Sequence, residues 1–106
     1  MAAPSFIDTV RQVLAEGLYE QDFTLTRLAD RLGVSSRTLQ RRLNAAGVTH
    51  RGLVRGVRQD LATRSLATRV SQGQIARTLG YSGPGSFLRA FKRWSGMTPG
   101  QHRRAH

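Results

Sequence analysis

The chain states one pattern twice. Leu28-Ala29-x-x-Leu32-Gly33-Val34-Ser35 returns as Ile75-Ala76-x-x-Leu79-Gly80-Tyr81-Ser82. Each copy runs into an arginine-bearing amphipathic stretch, Leu39-Gln40-Arg41-Arg42-Leu43 in the first and Phe87-Leu88-Arg89-Ala90-Phe91 in the second. Each then closes on a similar tripeptide, Gly47-Val48-Thr49 and Gly96-Met97-Thr98. An apolar helical stripe meets a glycine, which tolerates a left-handed backbone. A second stripe follows, opened by a serine that can cap it. Helix, sharp turn, helix is the pattern of a helix-turn-helix.

At 106 residues the chain is one domain, or two very small ones sharing a helix. The formal net charge is +11, from 17 basic residues against 6 acidic ones, and every basic residue but Lys92 is arginine. Asp8, Glu16, Glu20, Asp22 and Asp30 lie early; after them only Asp60 is acidic, and from Leu61 to His106 there is no carboxylate side chain. Such a field attracts a polyanion. Charge alone does not separate that reading from a merely soluble surface; the repeated motif does. The absence of cysteine excludes a disulfide framework and a thiolate metal site. His50, His102 and His106 have no metal-ligand spacing, the i,i+4 pair His102 and His106 falling at the chain end, so no metal and no cofactor are expected. No apolar run spans a membrane and Phe6-Ile7-Asp8 is no signal core, so a cytoplasmic protein, located at the nucleoid, is expected.

Read from end to end, the pattern is all-α, with about seven helices. A first helix is predicted from Ser5 to about Gly17, capped by Ser5, ended by Gly17 and striped by Phe6, Val10, Val13 and Leu14. Thr24 caps a second, with Leu25, Leu28, Ala29 and Leu32 inward. Gly33 turns the chain, Val34 plugs the core, and Ser35 or Ser36 opens a third that buries Leu39 and Leu43. A longer helix from about His50 to Leu66 turns Leu53, Val57 and Leu61 inward and Arg51, Arg55, Arg58 and Arg64 mostly outward. Gly52 and Gly56 weaken its start by roughly 1 kcal/mol each. Ser71-x-x-Gln74 has the form of a capping box opening a fifth helix with Ile75, Ala76 and Leu79 inward. A sixth, to about Trp94, buries Phe87, Phe91 and Trp94, and Thr98-Pro99 opens a short last one. The organisation predicted is a first helix-turn-helix subdomain over 1–49, a linking helix over 50–69 and a second subdomain over 70–106.

From Phe23 to Arg103 these residues resemble the DNA-binding domain of the AraC/XylS family of bacterial transcription regulators. The most specific part is Ile75-Ala76-x-x-Leu79-Gly80-Tyr81, then Phe87-x-x-x-Phe91-Lys92-Arg93, Gly96-x-Thr98-Pro99 and Arg103. The resemblance implies two helix-turn-helix units joined by a long helix, placing two recognition helices in successive major-groove segments of double-stranded DNA. A linking helix of about seventeen residues is roughly 25 Å long. With the width of the flanking modules, this brings the recognition helices to about one DNA turn, roughly 34 Å, apart. It also implies a transcription activator that works with RNA polymerase. In most members a ligand-sensing domain precedes the DNA-binding part; a smaller group stands alone at about this size.

In a helix-turn-helix the first turns of the second helix meet base edges. In the first module that selects Ser36, Arg37, Thr38, Gln40 and Arg41. Arginine can bond guanine bidentately and glutamine adenine. Arg37, Gln40 and Arg41 are the foremost base readers by analogy with the family, and Arg42 is expected on phosphate or against an acid. In the second module only Ser86 and Arg89 offer hydrogen-bonding side chains. Many family members carry polar side chains where Pro84 and Gly85 stand. This departure predicts a second helix whose Gly83 to Ser86 start lets the backbone, at Gly85, approach phosphate. Lys92, Arg93, Arg103 and Arg104 are then expected on the DNA backbone, where they position without specifying.

Other function classes fit less well. A non-specific nucleoid-associated or RNA-binding protein needs only charge, and Gln40 among arginines has no place in that scheme. DNA-repair alkyltransferases that carry related modules need nucleophilic cysteines, and no catalytic residue is expected here. A membrane-active peptide would not alternate its basic residues with a core that has internal partners.

Overall fold

A computed structural model describes residues 5–19 and 22–105; His106, and with it the i,i+4 histidine pair, lies outside them. Among the described residues seven helices follow in order: α1 (Phe6–Tyr19), α2 (Leu25–Leu32), α3 (Ser36–Ala45), α4 (His50–Leu66), α5 (Gln72–Thr78), α6 (Pro84–Ser95) and α7 (Pro99–Ala105). The fold is all-α, and the described residues contain no strand. They form two compact units, Met1–Val57 and Arg58–His106, so the division falls inside α4 and each unit takes half of the linking helix.

Local chemistry sets nearly every helix boundary. Ser5 Oγ accepts from the Asp8 amide at 3.1 Å, Thr24 Oγ1 from Arg27 at 3.2 Å, Ser35 Oγ from Thr38 at 3.1 Å and Ser71 Oγ from Gln74 at 3.1 Å. Each bond satisfies one of the amides that a helix start leaves without an intrahelical acceptor. At the repeated turn, Gly33 is left-handed at φ 72° and Gly80 at φ 83°. In both copies the next amide reaches back to close the helix end, Val34 to the Ala29 carbonyl at 3.0 Å and Tyr81 to the Ala76 carbonyl at 2.9 Å. The closing tripeptides repeat too. Gly47 and Gly96 are left-handed, and Thr49 and Thr98 accept from the Gly52 and Gln101 amides to start α4 and α7.

In the first unit α1 packs on α2 and α2 on α3. Val10, Leu14, Leu18, Leu28, Ala29, Leu39, Leu43, Leu53, Val54 and Val57 are buried, while Phe6, Val13, Leu25, Leu32 and Val34 are half-buried. Gly17 does not end α1 as expected, because the helix runs on to Tyr19. Gly17 is instead a point of close approach: the Asp22 amide bonds its carbonyl at 2.8 Å, and a Cβ there would stand 2.6 Å from the Asp22 carbonyl oxygen. His50 Nε2, 2.8 Å from the Phe23 carbonyl oxygen, ties the first residue of α4 to the approach to α2.

In the second unit Ala62 and Leu66 of α4 join Ile75, Ala76, Leu79, Phe87 and Phe91 in one core, with Leu61, Val70, Tyr81 and Trp94 packed against it. Trp94 is half-buried, stacked at an edge against Phe91. α5 packs on α6 and α6 on α7. No described helix is long and apolar enough to cross a membrane, and the described residues hold no cluster that could bind a metal ion.

Candidate nucleic-acid interface

α3 is held by Leu39 and Leu43, which are buried at i,i+4 and fix which face looks outward. That outward face carries Arg37, Gln40 and Arg41, all exposed, with Ser36 half-buried at the first helical position. None of the Arg37, Gln40 and Arg41 side chains makes a hydrogen bond or ion pair to another described residue. Thr38 differs from its neighbours. It is half-buried, and its Oγ1 accepts a hydrogen bond from Ser35 Oγ at 2.9 Å while its amide donates to that same oxygen, so its hydroxyl serves the helix cap. Arg42 is exposed with its guanidinium 5.5 Å from the centre of the Phe6 ring, a cation–π seat that turns it towards α1.

α6 keeps the same anchor spacing with Phe87 and Phe91, but its approach is longer by one residue. In the first module Ser35 follows the turn and caps α3. In the second, Ser82 stands in that place while Gly83 is the cap residue, without a side-chain cap bond, and Pro84 opens the helix. Ser82 Oγ and Ser86 Oγ lie 2.6 Å apart, which engages the Ser86 hydroxyl across the first turn. Gly85 is exposed, and a Cβ there would stand 3.4 Å from a terminal nitrogen of Arg89, so the Arg89 side chain runs back over the bare first turn. Arg89, Lys92 and Arg93 are exposed along α6.

Arg103 and Arg58 face inward. Arg103, expected on phosphate, donates from Nε to the Leu66 carbonyl at 3.0 Å and from Nη2 to the Val70 carbonyl at 2.7 Å. It closes the C-terminal end of α4, where carbonyls lack helical donors and the helix dipole favours a cation. The phosphate assignment is therefore not kept for Arg103. Arg58, expected mostly outward, is half-buried, donates from Nε to the Leu79 carbonyl at 3.0 Å and lies 5.1 Å from the centre of the Tyr81 ring. It does for α5 what Arg103 does for α4. Burial pushes the Tyr81 phenol above its ordinary value of 10.0, against the opposing pull of Arg58 and then Arg93. Sequence reasoning missed both anchors because nothing in the period of a helix announces a distant carbonyl. Arg104, the neighbour of Arg103, is exposed and passes near Gly100.

Two helix-turn-helix units, each showing a basic outer face on its second helix, define a DNA-binding module. The helix-turn-helix domain family matches residues 28–105. The HTH-type transcriptional regulator VirS of Mycobacterium tuberculosis is 44% identical over 77 residues, which cover 72% of this chain and 23% of that protein. A DNA-binding transcriptional dual regulator from Escherichia coli K-12 superposes with a TM-score of 0.88 at 23% identity, over 99% of this chain and 95% of the other, and shows the shared fold. The DNA-binding domain of AdpA, a global transcriptional factor solved in complex with a target DNA, matches with a TM-score of 0.67 at 27% identity, over 98% and 93% of the two chains. The chain belongs to the AraC/XylS family of transcription regulators, of which it forms the DNA-binding domain. It spans about a quarter of the length of the curated relatives it matches.

Proposed function

We propose that the chain binds double-stranded DNA sequence-specifically as a transcription activator, laying α3 and α6 into successive major-groove segments of an asymmetric site. The observation that carries this reading is the outward face of α3, where Arg37, Gln40 and Arg41 are exposed and their side chains bond no other described residue. Arg58 and Arg103 are spent on backbone carbonyls, Arg27 and Arg31 lie by Asp22 and Glu16 at 4.0 and 3.8 Å, and Arg42 is seated on Phe6. Arg37, Gln40 and Arg41 are left outward on α3, and Arg89 with Lys92 and Arg93 on α6. A purely electrostatic binder has no use for glutamine between arginines, whereas a base reader does. The AdpA domain on its target DNA supports duplex DNA as the ligand.

Within this proposal Arg37, Gln40, Arg41 and Arg89 read bases, Ser36 adds a hydroxyl, and Lys92, Arg93, Arg104 and the backbone at Gly85 hold phosphates. RNA polymerase as second partner, and a ligand-sensing segment ahead of this domain, rest on family membership alone. Selection of bound sequences from random duplexes tests the reading. A single asymmetric motif about two turns long supports it. Retention of all sequences alike, at fixed salt, would overturn it.

A further inference from the structure

The register between α3 and α6 makes one position informative. Leu39 and Leu43 correspond to Phe87 and Phe91, all four buried at the same spacing. Counted from these anchors, Arg41 corresponds to Arg89, Thr38 to Ser86, Arg37 to Gly85 and Gln40 to Leu88. Leu88 thus holds the place of a base-reading glutamine. It is 38% exposed, and among the described residues it is the only large hydrophobic side chain so placed. A lone exposed leucine is ordinary on a protein surface. This one has exposed Gly85 one turn before it, exposed Lys92 one turn after it and exposed Arg89 beside it, on the helix face that the repeat equates with the reading face of α3.

We propose that Leu88 is a specificity-determining residue that reads thymine, seating its side chain against the C5-methyl of one thymine in the second half of the site. The inference rests on the DNA-binding reading above. A side chain without donors or acceptors cannot use the hydrogen-bonding code of the major groove, and thymine alone presents a methyl group there. Against any other base edge, leucine would strip water from polar groups and return no hydrogen bond. Gly85 adds no side chain that could hold Leu88 off the groove floor. With Ser86 engaged by Ser82, the reading side chains of α6 become Leu88 and Arg89.

Deoxyuridine keeps every hydrogen-bonding group of thymine and lacks only the methyl, so it isolates this interaction. On a selected duplex, each thymine of the second half is replaced in turn by deoxyuridine and binding is measured at fixed salt. One replacement is expected to weaken the wild type by about fourfold, the worth of one buried methyl-sized group. The others are expected to have no effect. Leu88→Ala, an exposed change checked by unaltered thermal unfolding, is expected to abolish that one sensitivity and leave binding to scrambled DNA unchanged. Leu88→Gln is expected to shift the preference there from thymine towards adenine. A wild type that prefers the selected duplex yet ignores every deoxyuridine overturns the assignment to Leu88, as does a sensitivity that survives in Leu88→Ala. A wild type with no preference for the selected duplex overturns the DNA-reading proposal itself, and this inference with it.

Discussion

Arg103 reaches back 37 residues to place its Nε 3.0 Å from the carbonyl oxygen of Leu66. The bond joins the last helix to the end of α4, and its companion to Val70 fixes the chain that leads into α5. Arg103→Met keeps length and apolar bulk but leaves two partly buried carbonyls without their charged donor. A loss of about 2–3 kcal/mol is expected, or roughly 10–20 °C in a domain of this size. Thermal unfolding by circular dichroism measures it. Arg104→Ala, one residue away, is the control and should unfold with the wild type.

Tyr81 should make stability fall at alkaline pH. Its folded pKa is raised by burial, so the folded state holds the phenol proton more tightly than the unfolded chain does. That contribution is whole below the ordinary tyrosine pKa of 10.0 and is lost as pH rises from there through the folded value. Tyr81→Phe should remove this loss. Arg58→Met should drive the Tyr81 titration higher still, since Arg58 pulls it down. Denaturation measured against pH reads the first and difference absorbance of the phenolate the second, and a Tyr81 that titrates at or below 10.0 would contradict the burial assigned to it.

Gly17→Ala should destabilise the first unit, although alanine is the better helix former. The added Cβ would stand 2.6 Å from the backbone oxygen of Asp22, which is not the movable end of a side chain. Overpacking of this kind costs typically about 1–3 kcal/mol. Chemical denaturation of the variant beside Gly56→Ala, where a Cβ meets nothing within 4 Å, separates the two expectations. The second change should stabilise.

Arg41→Ala should lower specific binding by about 1–3 kcal/mol and relax the preference at a single base pair. Its side chain is exposed and makes no hydrogen bond or ion pair that would give the change a folding cost. Titration of the variant against duplexes mutated one pair at a time is the measurement. An equal loss on every duplex would reassign Arg41 to phosphate.

Lys92→Ala and Arg93→Ala should weaken binding to selected and scrambled duplexes alike. If each side chain neutralises one phosphate, its removal should make the plot of log affinity against log salt shallower by nearly one unit. A slope that does not move would show that these side chains are not on the DNA backbone.

What the sequence disclosed and what it hid divide along a physical line. Gly33, Gly80, Thr24, Ser35, Ser71 and Thr98 act through neighbours a few residues away, and the helix ends they predict are where the structure has them. α4 likewise runs from His50 to Leu66. The inward turn of Arg58 and Arg103 depends on carbonyls 21 and 37 residues distant, and the close approach at Gly17 on a loop beyond its own helix. No local pattern encodes such partners, and a charged side chain read from a helical wheel defaults to solvent. The same line runs through the candidate site. The exposure of Arg37, Gln40, Arg41 and Arg89 followed from their distance to buried anchors, but the occupation of the Thr38 and Ser86 hydroxyls by Ser35 and Ser82 did not.

The extra residue before α6 has an evolutionary consequence. Ser35 both follows its turn and caps its helix, so a change there disturbs the start of α3. The second module divides these duties between Ser82 and Gly83, and α6 begins without a side-chain cap to lose. Substitutions from Gly83 to Ser86 can therefore accumulate with little folding penalty. On the reading proposed above, the start of α6 is where DNA contacts can change at little folding cost, whereas a change at Ser35 also removes a helix cap.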